Sequence, residues 1–359
     1  MLNIPRINTT SPSTNELLRT CQLKAGLTRL REVDDFVLSH PKSWMGSIIH
    51  DILYEAARSS TPIDVDKLWS EKVTQALVRA RSHPLNQRFD QPERWPGYYL
   101  LLAGLRKFVS RIDAAGEKDR AKNVHREEEL LCFDNKLKGR PDFFDAEQLV
   151  DYKTGIITDS DNEGQAKETY IRQLRIYAAI IFETKEYWVK TAALVPVSGS
   201  PVSVQIDHAE CVTEAHKAVA LLDDYNAAVA AGSVVASPSE ETCAYCPFQI
   251  ICPSYWNAVD ASWSDNVSTQ TIQGTLIRPP FAIRSTSDFS LSVHATSGTM
   301  PPATYTVRIG GAQMKSAEPL IEDCEVRISG LKRLSAGNSL TGSVQTVIWR
   351  IDQIPQIAT

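Results

Sequence analysis

The chain has 359 residues, a formal net charge of −5 and seven cysteines. This length predicts two domains, and the acidic balance excludes a generally basic nucleic-acid coat, although a local groove can still be basic. No apolar run approaches the roughly 20 residues that span a bilayer, and the N-terminus lacks a charged segment followed by an apolar one, so we expect a soluble cytoplasmic protein without a membrane partner.

The first two predicted helices carry a cysteine and a histidine. A serine- and threonine-rich start followed by leucines at helical spacing predicts a capped helix within residues 11–31 that carries Cys21. An apolar stripe predicts a second helix around residues 43–53, in which Gly46 and His50 lie one turn apart. Glycine at position 46 would let this helix approach a sheet closely. A histidine beside an apolar stripe is more often a hydrogen-bonded core residue than a ligand.

Residues 62–116 have leucines and aromatic residues at spacings of three or four, with a break at 83–96. This pattern predicts two helices, which we interpret as a helical insertion covering a cleft. Residues 126–133 then predict the first strand of a core sheet. One of its three adjacent acids could point into a site, although such a run is more often a solvated strand end: Glu127, Glu128 and Glu129.

Residues 139–155 predict a hairpin of two short strands with a tight turn at 145–148. Each strand presents one carboxylate, Asp142 or Asp151, near the same end of the hairpin. The two-residue period of a strand places Asp151 and Lys153 on one face and Tyr152 on the other. Two carboxylates and an ammonium in one site suit metal-assisted phosphodiester hydrolysis, whereas a lone Asp-x-Lys triplet is common by chance.

The segment after the hairpin predicts a helix at 165–182, with Gln173 and Tyr177 one turn apart. By itself this pair is compatible with one buried tyrosine and an incidental glutamine. Strands at 186–197 and 202–206 and a helix at 208–231 complete a pattern typical of an α/β domain.

Three cysteines lie within ten residues, at Cys243, Cys246 and Cys252. Two cysteines three apart can chelate one centre, and a third can return to it after a turn, so this trio predicts zinc or an iron–sulfur cluster with a fourth thiolate from elsewhere. The remaining cysteines, apart from Cys21, sit singly among apolar or strand-like neighbours and are expected to be inert: Cys132, Cys211 and Cys324.

The composition changes from residue 261, where serine, threonine, valine and isoleucine alternate with turn residues. Five candidate strands in a short segment predict a small β-barrel at 266–359, with an OB-fold as first choice, after a first domain at 1–260. The predicted strands are 271–277, 289–295, 304–309, 324–334 and 343–351. Residues 316–319 are expected to connect the third and fourth strands.

A barrel of this kind suggests a platform for single-stranded DNA, with bases stacked on aromatic side chains above a basic groove. The segment offers few aromatic residues, some of which must fill its core: Phe281, Phe289, Tyr305 and Trp349. Its candidate phosphate contacts are Arg308, Arg327, Lys332, Arg333 and Arg350. A protein-docking module is the alternative.

Taken together, the ordered motifs resemble the PD-(D/E)XK nuclease superfamily and, within it, the RecB-like, AddB-type branch. The resemblance rests on Gly-x-x-x-His at 46–50, Gly-Arg-Pro-Asp at 139–142, Asp-Tyr-Lys-Thr-Gly at 151–155, Gln-Leu-x-x-Tyr at 173–177 and the cysteine trio. It covers about residues 11–256 and implies a restriction-endonuclease-like α/β core and a magnesium- or manganese-dependent DNA nuclease.

The resemblance also implies roles for individual residues. The implied metal ligands are His50, Asp142, Asp151 and the backbone carbonyl of Tyr152. Lys153 would position the attacking water, and Gln173 with Tyr177 would support the lysine and the substrate. Arg140 could contact phosphate or pair with an acid.

In relatives of this layout the cysteines hold a [4Fe–4S] cluster, and one cysteine before the nuclease motifs completes it, which makes Cys21 the candidate fourth ligand. Single-stranded DNA or DNA ends are the implied substrates, in repair, recombination or defence. The sequence shows no Gly-x4-Gly-Lys-Ser/Thr phosphate loop, so a helicase would be a separate partner. A catalytically silent nucleic-acid-binding scaffold is the alternative function.

Overall fold

The computed structural model describes residues 2–59, 61–119, 124–159, 164–197, 199–284, 286–314, 319–334 and 337–357, with the backbone alone at 57, 58 and 111–119. Its helices are α1 (Pro12–Thr20), α2 (Gln22–Leu27), α3 (Pro41–Arg58), α4 (Val65–Ser82), α5 (Tyr98–Asp119), α6 (Glu168–Lys185), α7 (His208–Ala231), α8 (Glu240–Cys243), α9 (Pro253–Ala258) and α10 (Gly311–Met314). Its strands are β1 (Leu130–Cys132), β2 (Leu137–Gly139), β3 (Phe143–Phe144), β4 (Gln148–Lys153), β5 (Thr191–Pro196), β6 (Val202–Val204), β7 (Gln270–Ala282), β8 (Asp288–Gly298), β9 (Ala303–Gly310), β10 (Glu325–Arg333) and β11 (Ser339–Arg350).

A four-stranded sheet in the order β3-β4-β5-β6 forms the centre of the first part of the chain. The β4–β5 pair is parallel, and the two outer pairs are antiparallel. Helices α6 and α7 pack on this sheet and share its apolar core, which includes Leu149, Leu174 and Ala215. Helices and a mixed sheet in this order agree with the predicted α/β core.

The predicted hairpin forms, and its register sets the site. Phe143 pairs with Val150 and Phe144 with Leu149, so Asp142 lies one step beyond the last pair, opposite Asp151. The turn is closed by Asp145, whose carboxylate accepts hydrogen bonds from two backbone N–H groups of the turn at 2.7 and 2.8 Å. The two carboxylates therefore emerge at the same end of the hairpin.

The prediction of a first core strand at 126–133 was wrong. Only Leu130–Cys132 is extended, and β1 pairs with β2 in a separate two-stranded ladder. The physical reason is backbone conformation: Glu127 has a φ of +49°, and left-handed residues recur at 133–135, so the extended stretch is interrupted at both ends.

Helices α4 and α5 occupy the predicted insertion, with the predicted break between them. They pack with α3 around a second apolar core, in which Met45, Ile49 and Trp69 are buried. The ring of Phe108 on α5 meets the ring of Tyr152 at 4.6 Å. Thus the outward face of β4 is covered by the insertion while its other face is left for Asp151 and Lys153.

Two local expectations need correction. Cys21 does not lie inside a helix: it is extended, with a φ of −163°, at the junction of α1 and α2. Gly46 is not a point of forced contact, because a Cβ there would lie 3.6 Å from the Thr154 hydroxyl, an ordinary separation. The close approach occurs instead at Gly139, where a Cβ would come within 2.9 Å of the Tyr177 ring.

Strands β7 to β11 close into a five-stranded barrel in the order β7-β8-β9-β11-β10. Neighbouring strands are antiparallel except β9 and β11, which run parallel. All five predicted strands are present, and most are longer than predicted. Residues 316–318 of the predicted connection between the third and fourth strands lie outside the described residues. The barrel has its own core, which contains Ile272, Val293 and Ile328.

The barrel also packs on the cysteine-containing region. Val347 and Trp349 belong to the same apolar cluster as Cys21 and Cys243, and Trp349 meets the ring of Phe36 at 4.6 Å. Polar contacts reinforce this packing, since the Tyr255 hydroxyl lies 2.8 Å from that of Thr271, and Arg327 donates to the Ile250 carbonyl at 3.1 Å. In the described part of the chain, no helix combines the length and apolar character needed to cross a membrane.

Candidate metal centre

A cavity of about 360 Å³ opens at the end of the hairpin. Most of the predicted site side chains line it, together with two of the three adjacent glutamates: His50, Glu127, Glu129, Asp142, Asp151, Lys153, Gln173 and Tyr177. They come from α3, from the segment before β1, from the hairpin and from α6. Tyr152 points the other way, against the helical insertion, as its place in the strand predicts.

His50 and Asp142 form the first part of the centre. Helix α3 buries Ile49 and Ile52 in the helical core and leaves His50 half-buried at the cavity, with Nδ1 3.3 Å from Oδ1 of Asp142. The other carboxylate oxygen of Asp142 accepts a hydrogen bond from the backbone N–H of Tyr152 at 2.5 Å. The hairpin thus fixes the orientation of Asp142 toward α3.

Glu127 completes a group of three donors. One ligand atom each from His50, Glu127 and Asp142 lies within 4.8 Å of the other two. The Glu127 side chain is 4% exposed, and its Oε1 has no hydrogen-bond partner among the described residues, lying 3.8 Å from His50 Nδ1. Its other oxygen pairs with Arg140 Nε at 3.0 Å. Sequence reasoning could not choose Glu127 from three adjacent acids, because its left-handed backbone turns it inward.

The other two acids of that run lie outside the three-donor group, although Glu129 lines the same cavity. Glu128 pairs with Lys185 at 2.6 Å and with His125. The Glu129 side chain is 67% exposed and lies 3.8 Å from Lys138. Glu128 and Glu129 therefore agree with the interpretation of this run as solvated acids, whereas Glu127 does not.

Asp151, Lys153 and Gln173 form a closed polar triangle beside the three donors. Lys153 Nζ lies 2.5 Å from Asp151 Oδ2 and donates to Gln173 Oε1 at 2.8 Å. The Gln173 amide N–H donates to Asp151 Oδ1 at 3.0 Å and contacts the Tyr177 hydroxyl at 3.2 Å. Only one orientation of the amide satisfies both neighbours, so Gln173 holds the lysine and the aspartate at a fixed separation.

Burial and like charge shift the titration of the acids. Burial, and then the charge of Asp142, raise the pKa of Asp151 to about 6, against the opposing effect of Lys153. Burial also raises the pKa of Glu127. The hydrogen bond that His50 Nδ1 donates to Asp142, and then the nearby carboxylate of Glu127, raise the pKa of His50 to about 10. Buried carboxylates that lie close enough to raise one another's pKa are typical of a site for a cation.

The donor chemistry fits a hard or borderline divalent ion. Carboxylate oxygens suit Mg²⁺ and Mn²⁺, and an imidazole nitrogen is a ligand that Mn²⁺ accepts. Asp151 lies outside the three-donor group, and Lys153 and Gln173 contact its two oxygens. Its role as a ligand, and that of the Tyr152 carbonyl, stay predictions.

The four cysteines of the predicted cluster line one small apolar cavity: Cys21, Cys243, Cys246 and Cys252. The fold brings Cys21 to the trio across more than 220 residues. Burial raises the pKa of the Cys246 thiol to about 12, against the opposing effect of Lys24, and that of Cys252 to about 11. In the described chain, no three thiols come within 4.8 Å of one another.

The other cysteines lie elsewhere. Burial raises the pKa of Cys132 and of Cys211 to about 12, which keeps both thiols protonated and unreactive. Cys324 is half-buried beside the barrel core.

Comparisons with known proteins assign the family. Residues 9–253, which are 245 of the 359, match the model of the PD-(D/E)XK nuclease superfamily. The solved structure described as SSO0001 is 20% identical over 50% of this chain and 81% of its own, with a TM-score of 0.26. Among curated proteins, none matches the chain significantly. The matched residues contain the whole candidate metal centre and all four clustered cysteines, and the chain belongs to the PD-(D/E)XK nuclease superfamily.

Proposed function

We propose that this chain is a Mg²⁺- or Mn²⁺-dependent deoxyribonuclease of the RecB-like, AddB-type branch. One observation carries the proposal: the Asp151–Lys153–Gln173 triangle and the His50–Glu127–Asp142 donor group share a single cavity. A structural ion-pair network would not need a buried carboxylate such as Glu127, whose Oε1 lacks a hydrogen-bond partner among the described residues.

His50, Asp142 and Asp151, with the Tyr152 carbonyl, would hold the ion, and Glu127 would join them. The bound ion would lower the pKa of a water and neutralise charge that develops on the phosphate. For Asp151 to serve as a ligand, one of its oxygens must exchange its contact with Lys153 or Gln173 for the cation. Its buried position next to Asp142 favours that exchange, because a cation relieves the repulsion between the two carboxylates.

Lys153 has the position required to orient a nucleophile. Its side chain is 15% exposed, lines the cavity and is anchored on one side by Asp151 and Gln173. An ammonium offers three donors, so one N–H can point to an attacking water or to a phosphate oxygen while the others keep their anchors. Tyr177 contacts the Gln173 amide and thereby supports the lysine indirectly.

Arg140 is the proposed phosphate contact. Its side chain is 56% exposed and pairs with Glu127. A cation bound at Glu127 would weaken that pair and free the guanidinium for a phosphate, which it can grip with two parallel hydrogen bonds.

A [4Fe–4S] cluster on the four cysteines is the proposed structural element of this domain. The cluster would join the α1–α2 junction to residues 243–252. A single distant cysteine joined to a Cys-x2-Cys-x5-Cys trio favours the cluster over zinc, because zinc ribbons usually pair two Cys-x2-Cys motifs. Ligation would close a loop of more than 220 residues and hold the first helices against the end of the nuclease domain.

We also propose the domain division at 1–260 and 266–359 and an OB-like assignment for the second domain. The strand order and the single parallel pair support an OB-like barrel. Several of its candidate phosphate contacts are already engaged within the protein. Arg308 pairs with Asp288 at 2.6 Å, and Arg327 stacks on Trp256. These contacts favour a docking role for this face of the barrel over a single-strand platform.

The proposed substrate is DNA, with single strands or ends favoured, in repair, recombination or defence, and with any helicase as a separate protein. The test combines Mn²⁺ binding by calorimetry with degradation of labelled DNA by anaerobically purified protein. Asp142→Asn should weaken both, whereas Asp288→Asn on the barrel should change neither. A protein that binds no divalent ion and cuts no DNA would instead be a nucleic-acid-binding scaffold.

A further inference from the structure

A second, larger cavity of about 830 Å³ adjoins the metal centre. It lies along the segment that follows β4, between the start of α5 and the start of α6. Thr154, which lines this groove, directly follows Lys153. Tyr170 lines it as well, and its ring centre lies 4.7 Å from Lys153 Nζ. The groove therefore leads to the ammonium that faces the metal centre.

The walls of the groove are unusually apolar for a surface. The Leu100 side chain is 64% exposed and that of Ile156 is 75% exposed. Exposed large apolar residues gathered at one concave site are typical of a binding surface rather than of a solvated one.

The described lining of the groove is positively charged. Lys42 and Lys167 line it, and the described lining residues include no carboxylate. In the described part of the chain, neither lysine forms an ion pair. Two ammonium groups on an apolar groove are complementary to a ligand that is both anionic and apolar.

We propose that this groove binds the single-stranded DNA that enters the metal centre, an inference that rests on the proposed nuclease function. Unpaired bases lie against Leu100, Ile156 and the ring of Tyr170, because every base offers an apolar face to such a wall. The phosphates contact Lys42 and Lys167. In a duplex the base faces are stacked inside the helix, so the apolar wall selects single strands over duplex.

The experiment measures DNA binding by fluorescence anisotropy with the full chain carrying Asp151→Asn, a substitution that prevents cleavage during the measurement. A denaturing gel then checks that the DNA strand is still intact. The probes are a labelled oligothymidylate, an abasic strand of equal length and a duplex. One variant adds Lys42→Ala with Lys167→Ala, and its matched control adds Lys190→Ala with Lys217→Ala, two surface lysines away from the groove. A third variant adds Leu100→Ser with Ile156→Ser, both at exposed positions.

The lysine variant should bind oligothymidylate about tenfold more weakly, and the slope of log affinity against log salt should fall by about 1.4, the loss of two phosphate contacts on a single strand. The control pair should keep the original slope. The serine variant should lose about tenfold affinity for oligothymidylate and little for the abasic strand. Groove variants that bind all three probes like the control would overturn the proposal.

A separate readout distinguishes this proposal from the proposed function. Cleavage by the unsubstituted chain in Mn²⁺ reports on the nuclease alone. Cleavage together with unchanged binding by the groove variants would reject the groove and keep the nuclease. Absence of cleavage from protein that binds Mn²⁺ would reject the nuclease and, with it, the groove as a substrate path.

Discussion

Glu127 Oε1 lies 3.8 Å from Nδ1 of His50, although the two residues are 77 positions apart in the chain. Both face Asp142, and the three donor atoms lie within 4.8 Å of one another. A buried glutamate with a left-handed backbone is a costly feature, and such features persist mainly where function requires them.

Glu127→Gln should therefore weaken Mn²⁺ binding about tenfold or more, because the substitution removes a negative charge from the donor group and preserves its volume. Glu129→Gln is the matched control, since that side chain is exposed and lies outside the donor group. Calorimetric titration of both variants measures the effect. Equal affinities would show that Glu127 does not ligate the ion.

Gln173→Ala should lower the single-turnover cleavage rate about 10²-fold with little change in Mn²⁺ affinity. The reason is positional: Gln173 fixes Lys153 relative to Asp151, and a misplaced lysine orients the water poorly. Gln165→Ala, at an exposed position before α6, serves as the control. A Gln173→Ala rate equal to that of the control would mean that Asp151 alone holds the lysine.

Metal binding should compete with protonation of His50. Its pKa rises from 6.5 to about 10 beside the two acids, so in the metal-free protein the protonated form stabilises the fold fully below pH 6.5 and this stabilisation is lost as pH rises through 10. Ligation requires neutral imidazole, so Mn²⁺ affinity should increase with pH over this range and binding should release protons. Calorimetry in buffers of different ionisation enthalpy measures that release. No proton release at pH 7 would contradict the assignment of His50 as a ligand.

Replacement of Cys21 by serine should remove bound iron and lower the thermal unfolding temperature. Cys21 shares one cavity with the trio, and a cluster that loses one of four ligands is held less tightly. Cys324→Ser, in the barrel, should retain full iron content. Elemental analysis of anaerobically purified protein measures its iron and zinc content. Stoichiometric zinc without iron would contradict the proposed cluster.

Trp349→Ala should destabilise the protein by about 3 kcal/mol, because the indole is 8% exposed and packs on Phe36 across the junction between the barrel and the cysteine region. Phe281→Ala, at a 46% exposed barrel position, should stay within about 0.5 kcal/mol of the parent. Chemical unfolding measures both. Similar values for the two variants would mean that the barrel does not depend on this packing.

Local patterns were sufficient to predict the hairpin and the helices around it. The spacing of Asp142 and Asp151 predicts their shared end of the hairpin, and the bounds of α7 match the predicted 208–231 because Asp207 caps its start and Gly232 its end. These features depend on residues close together in the chain.

What could not be predicted depends on long-range packing. Nothing in three adjacent acids distinguishes Glu127, whose inward direction follows from one left-handed backbone angle. Nor does the sequence show that Trp349 leaves the barrel core to pack on Phe36, because its apolar neighbours in β11 are equally compatible with either side. The directions of these two side chains are determined by contacts between elements that are far apart in the chain.

The central claim is that the cavity at the end of the hairpin hydrolyses DNA. The most direct measurement is cleavage of end-labelled single- and double-stranded DNA by the anaerobically purified protein in Mg²⁺ or Mn²⁺, beside Asp151→Ala, Lys153→Ala and the surface control Lys190→Ala. We expect cleavage that the first two substitutions reduce by about 10² or more and the third leaves unchanged. Cleavage that survives both active-site substitutions, or a folded, metal-binding protein that cuts no DNA, would contradict it.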